Sequence, residues 1–121
     1  MANAKKEMRT GGCRCGAVRF TARGAPLLVV NCHCSDCRKA TGAAFATFVD
    51  YPRDAVTFER QAESYASSPG AERLFCMRCG SPIGFRGDSS PDEINLHLGA
   101  FDMPSAFKPT TDVHEESALW R

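Results

Sequence analysis

Seven cysteines in 121 residues fall into three tight groups separated by long segments. They are Cys13 and Cys15 in CRCG, Cys32, Cys34 and Cys37 in CHCSDC, and Cys76 and Cys79 in CMRCG. Free core cysteines would be scattered singly. Disulfides fit poorly, because the number is odd and such close pairs would be strained. The opening MANAKKEMRT has no apolar signal core, so the chain is expected in the cytoplasm, where thiols stay reduced. A single thioredoxin-like pair at Cys76 and Cys79 would lack its βαβ surroundings and leave five cysteines unexplained.

Metal binding accounts for the clustering. Two cysteines separated by one or two residues can turn both sulfurs toward one point through a tight knuckle. Gly16 and Gly80 each follow a knuckle, where the backbone must take angles that other residues resist. Backbone N–H groups of the turn then point at the thiolates. Two knuckles together make a tetrahedral four-sulfur zinc site, and Cys13, Cys15, Cys76 and Cys79 form the obvious set. Such a site has no room for substrate. Cys32, Cys34 and Cys37 can also reach one metal, but three ligands leave a fourth position open, as in catalytic zinc. Two zinc ions per chain are therefore expected, with one zinc and three spare thiols as the competing arrangement. His33 lies between two of these ligands, and along an extended backbone its side chain should point away from them. Arg14, Arg78, Arg38 and Lys39 flank the knuckles and either offset the thiolate charge or face solvent.

The rest of the chain reads as short strands. Ala17–Arg23 alternates apolar and polar residues. Leu27–Val30, Ala44–Val49, Ala55–Phe58, Glu63–Ala66, Arg73–Phe75, Pro82–Arg86 and Glu93–Leu98 complete the set, with Pro and Gly between them. Ser35–Ala40 could form one helical turn capped by Ser35 and ended by Gly42. The pattern predicts a mainly β, single-domain fold over residues 11–121 behind a flexible tail of residues 1–10. The segment after Pro104 reads as irregular, with Trp120 as a core plug that pins the C-terminus. A net charge of +1 with scattered basic residues gives no footprint for nucleic acid. No stretch is long enough to span a bilayer. Oligomeric state is not legible.

Three segments, GGCRCGAVRF, CHCSDCRKATGAAF and RLFCMRCGSPI, resemble the glutathione-dependent formaldehyde-activating enzyme family. The resemblance runs from Gly11 to about Trp120, with fainter echoes in GAFD at Gly99–Asp102 and at His114. It implies an Mss4-like zinc-bound β fold of short antiparallel strands. It also implies a structural zinc at Cys13, Cys15, Cys76 and Cys79 and a second zinc at Cys32, Cys34 and Cys37. The activity it implies is a carbon–sulfur lyase or synthase reaction, the condensation of glutathione or another thiol with formaldehyde. On that reading Cys32, Cys34 and Cys37 are the catalytic centre. His33 and Asp36 are the nearest candidate proton carriers, and His97 is either a pocket residue or a satisfied sheet histidine. The alternative is a non-catalytic zinc module that binds a partner or carries the fold.

Overall fold

A computed structural model describes residues 7–120. The chain forms β1 (Met8–Gly12), β2 (Arg19–Arg23), β3 (Leu28–Cys32), α1 (Ser35–Thr41), β4 (Ala46–Pro52), β5 (Val56–Arg60), β6 (Glu63–Ser68), β7 (Ala71–Phe75), β8 (Pro82–Gly87), β9 (Glu93–His97) and β10 (Thr111–Val113). One sheet has the order β1-β2-β5 and the other β10-β3-β4-β9-β8-β7-β6. All pairs are antiparallel except β10 with β3. No helix among the described residues is long and apolar enough to cross a membrane.

Side chains alternate across a strand, so each face of the large sheet collects its own set. Val29, Val49, Tyr51, Leu74, Ile94 and Leu96 gather with Phe20 and Ala22 of the small sheet, and with Val18 just before β2, in the main core. Phe101 packs edge-on to Phe20 at 5.2 Å between ring centroids, and Phe107 lies 4.7 Å from Phe101. The opposite face carries a second, smaller cluster of Val30, Cys32, Ala46 and Phe48, covered by Cys37 of α1. The main core holds the sheets together. The second face is left for a site.

Three expectations need correction. Met8–Thr10 belong to β1, paired with β2 from Met8↔Arg23 onward, so the strand begins inside the expected tail; residues 1–6 lie outside the described residues. The segment after Pro104 contains β10, which pairs Val113 with Cys32. Trp120 is 73% exposed and plugs nothing. Phe101 and Phe107 fill the core instead, and the C-terminal segment is tied by Arg38 Nη1 donating to the Ser117 carbonyl at 2.8 Å.

Candidate metal centres and the open cleft

The first cluster joins the loop after β1 to the loop after β7. The sulfurs of Cys13, Cys15, Cys76 and Cys79 all lie within 4.8 Å of one another. Cys13 and Cys15 sulfurs are 3.6 Å apart, and those of Cys15 and Cys76 are 3.8 Å apart. A tetrahedron with metal–sulfur bonds of about 2.3 Å has edges of roughly 3.8 Å, so the donor set fits a thiophilic metal ion. Val18 N–H donates to Cys13 Sγ at 3.2 Å and Cys79 N–H to Cys76 Sγ at 3.4 Å. Gly16 and Gly80 adopt φ of 85° and 80°, the turn geometry expected of the knuckles. Ser81, which the spacing did not single out, ties the two together. Its hydroxyl accepts from Arg14 N–H at 3.1 Å and lies 3.1 Å from Cys79 Sγ. Hydrogen bonds from the Ser81 hydroxyl and backbone hold the Cys79 thiol down to about 5. Among the described residues no Arg14 or Arg78 side chain hydrogen-bonds to a sulfur.

The second cluster is built by the junction of β3 and α1. Cys32 ends β3, Cys34 caps α1 and Cys37 lies in its first turn. Cys32 Sγ is 3.5 Å from Cys34 Sγ and 3.3 Å from Cys37 Sγ. Cys34, not Ser35, is the helix cap, because its sulfur accepts the Cys37 N–H at 3.3 Å. Gly42, at φ 72°, ends the helix. Burial pushes the Cys37 thiol up to about 12, against the lowering effect of Arg73. Three such thiols become thiolates together only around a cation. The donor set therefore could hold a metal ion, and it offers three protein ligands.

Neither neighbouring candidate completes this set. His33 Nε2 turns away and meets Asp112 Oδ1 at 2.9 Å, as an extended backbone dictates. Asp36 accepts from Arg73 Nη2 at 2.6 Å. Arg38 donates to the His33 and Ser117 carbonyls, and Lys39 shows no hydrogen bond to the site among the described residues.

Arg73 is the buried cation beside this cluster that sequence spacing did not single out. It is 5% exposed, lies 5.3 Å over the Phe85 ring, and brings Nη2 to 3.7 Å from Cys37 Sγ. Its Nε and Nη1 have no partner among the described residues. The only warning in the sequence is a charged residue one position before the core residue Leu74.

The three cysteines line a cleft of about 320 Å³. Val30, Phe48 and Phe85 supply apolar wall, while Arg73, Asp50 and Asn95 supply its polar points. His114 also lines it, with left-handed backbone at φ 57°. Non-glycine residues in this conformation concentrate at functional sites. Two larger depressions, about 790 Å³ beside the β6–β7 hairpin and 660 Å³ beside the Cys13 knuckle, lack this convergence of thiols and a buried guanidinium. Chemistry rather than volume selects the smaller cleft.

His97 is a buried sheet histidine stacked 4.6 Å from Phe48. Burial, assisted by the Arg73 charge, pushes it down to about 4. The unfolded chain takes up a proton near pH 6.5 that the folded chain refuses until about pH 4. Stability is therefore full above this window and falls by about 3 kcal/mol on acidification through it. Urea unfolding of wild type and His97→Gln near pH 6.5 and near pH 4 checks this, since the variant should lose less across the window. An equal loss in both proteins would contradict it.

A family model and one relative carry the same family description. The family model for glutathione-dependent formaldehyde-activating enzyme matches residues 8–117. A Halomonas elongata protein that carries the family's name is 33% identical over 113 residues, covering 86% of this chain and 71% of the relative. An uncharacterized lyase of Schizosaccharomyces pombe is 33% identical over 75 residues, covering 62% of this chain. The chain spans only 55% of that relative's length. A crystal structure of a Rhodobacter sphaeroides protein superposes with a TM-score of 0.69 at 22% identity, covering 86% of this chain and 99% of the other. That likeness supports the fold. With the family model spanning nearly all of the described residues, the chain belongs to the glutathione-dependent formaldehyde-activating enzyme family.

Proposed function

We propose that this chain binds two zinc ions and adds a thiol, glutathione first among candidates, to formaldehyde or a related aldehyde beside Cys32, Cys34 and Cys37. One observation carries the reading: three clustered sulfurs open onto a cleft, while His33 and Asp36 are both engaged elsewhere. Zinc, when bound there, would supply the positive charge that favours the ionised form of a substrate thiol. Three thiolates would leave that site with a net charge of about −1. Such a site suits holding a sulfur nucleophile better than generating hydroxide.

The reaction forms one carbon–sulfur bond. The carbonyl π pair moves onto oxygen, and the proton given up by the thiol ends on that oxygen. No oxidant is needed. Arg73 brings its guanidinium to the cysteines, with Nη2 3.7 Å from Cys37 Sγ, and that positive charge would stabilise the oxygen on which charge develops. Val30, Phe48 and Phe85 exclude water from that contact and strengthen it. Asp36 holds the guanidinium in place through its 2.6 Å contact. In this reading Asp36 positions Arg73, and His33 fixes the adjoining loop through Asp112. Cytoplasmic residence fits a site that needs reduced thiols.

Exchange NMR of glutathione and formaldehyde with their adduct tests the proposal. Zinc-loaded protein should accelerate exchange in proportion to its concentration. Arg73→Gln should cut that acceleration roughly 10²–10³-fold while still carrying two zinc ions. No acceleration by the zinc-loaded wild type would leave the chain as a non-catalytic zinc module.

A further inference from the structure

The cleft beside the three cysteines has a second polar end. Register pairs Cys32 with Ala46 and Leu28 with Asp50, so Asp50 shares the face of Cys32. It lies four residues along the strand from the cysteine's partner, a distance of roughly 13 Å. Val30 and Phe48 occupy the apolar stretch between. Asn95 is the register partner of Asp50 on the next strand, and its Nδ2 donates to Asp50 Oδ1 at 2.6 Å. Both residues line the cleft. Phe85 and Arg73 continue the same row across the sheet.

The chemistry at this end is that of an acceptor. After the Asn95 contact, Asp50 still has its second oxygen and Asn95 its own carbonyl oxygen. Among the described residues, no cationic side chain lies within ion-pairing distance of Asp50. Burial pushes this carboxyl up to about 6, with Glu93 adding to the effect and Asn95 opposing it. A partly buried carboxylate without a cation costs the fold stability at neutral pH. A positively charged ligand group would offset that cost.

We propose that Asp50 and Asn95 form an ammonium-binding subsite, so that the cleft selects thiols whose amino group lies far from the sulfur. Strand spacing, shortened by the reach of the side chains, sets the separation at roughly 10 Å. Glutathione meets this requirement. Its γ-glutamyl amine is about eight bonds from its sulfur, or roughly 10 Å when extended. Cysteine, with its amine beside the sulfur, cannot span the cleft, and simple alkyl thiols have nothing to place there. This inference rests on the thiol binding at the cysteine end, as proposed above.

Calorimetric binding of glutathione and N-acetylglutathione to the zinc-loaded protein tests it without relying on turnover. Wild type should bind glutathione about tenfold or more tightly than the acetylated form, the worth of one charge-assisted hydrogen bond. Asp50→Asn should bind both with the affinity that wild type shows for N-acetylglutathione, and at neutral pH it should melt no lower than wild type. Equal affinity of wild type for the two thiols overturns the subsite, and needs no variant. A preference that survives in Asp50→Asn also overturns it, while leaving thiol binding at the cysteines intact. Failure of wild type to bind either thiol overturns both readings.

Discussion

Replacing Cys76 with alanine is expected to unfold the domain at room temperature. Cys76 is 1% exposed and belongs to the main core. Its N–H donates to the Ser81 carbonyl at 3.0 Å, and its sulfur accepts from Cys79 N–H. With Cys13, Cys15 and Cys79 it clamps the small sheet to the large one. The clamp joins residues 61 positions apart, such as Cys15 and Cys76. By the cross-link analogy, closing a loop of that size lowers the entropy of the unfolded chain by the equivalent of roughly 4 kcal/mol. Losing the ligand also leaves a cavity in the core and three thiolates short of a partner. The summed cost, on the order of 5 kcal/mol or more, equals the whole stability of many small domains. Circular dichroism should show a disordered chain, and a strong chelator should do the same to wild type.

Replacing Cys34 with alanine should do the opposite, abolishing activity while sparing the fold. Cys34 is partly exposed and lies in the second cluster, whose ligands span Cys32 to Cys37 along the chain. A cross-link over about six residues is worth only roughly 2 kcal/mol in the same treatment. Losing the cap contact to Cys37 N–H adds about 1 kcal/mol. The variant should therefore melt cooperatively at a lower temperature, carry one metal per chain in place of two, and accelerate thiol addition no more than buffer does. Equal destabilisation by Cys34→Ala and Cys76→Ala would mean that the second cluster is structural too.

Both cysteine clusters were legible in the sequence because their geometry is local. A knuckle is made by a few neighbouring residues, and only its pairing with a distant knuckle is tertiary. The mainly β architecture was legible for the same reason, since alternation and turn residues mark β2 through β9 one by one. β1 and β10 were not fully visible because MRTGG and TDV have no apolar alternation of their own. They are strands because β2 and β3 offer edges to pair with. Trp120 was misread because a lone tryptophan is usually buried, whereas here phenylalanines already fill the core.

The polar residues of the cleft were hidden for a deeper reason. Arg73 meets Asp36 across 37 positions and Asp50 meets Asn95 across 45. Which face each occupies depends on strand register, and a one-residue slip would send them all to the other side. Sequence spacing pointed to His33 and Asp36 because they adjoin the cysteines. The fold turns His33 toward Asp112 and brings Arg73 in from a distant strand. Nearness along the chain found the clustered cysteines but not the polar groups that the fold brings beside them.

A metal held by Cys32, Cys34 and Cys37 with one position left for a substrate thiol should take glutathione directly into its coordination shell. The most direct measurement is a glutathione titration of the cobalt-substituted protein, followed through its sulfur-to-metal charge-transfer absorption. This absorption should change and saturate at one glutathione per chain, and Cys34→Ala should show no such change. An unchanged wild-type spectrum at saturating glutathione would contradict it.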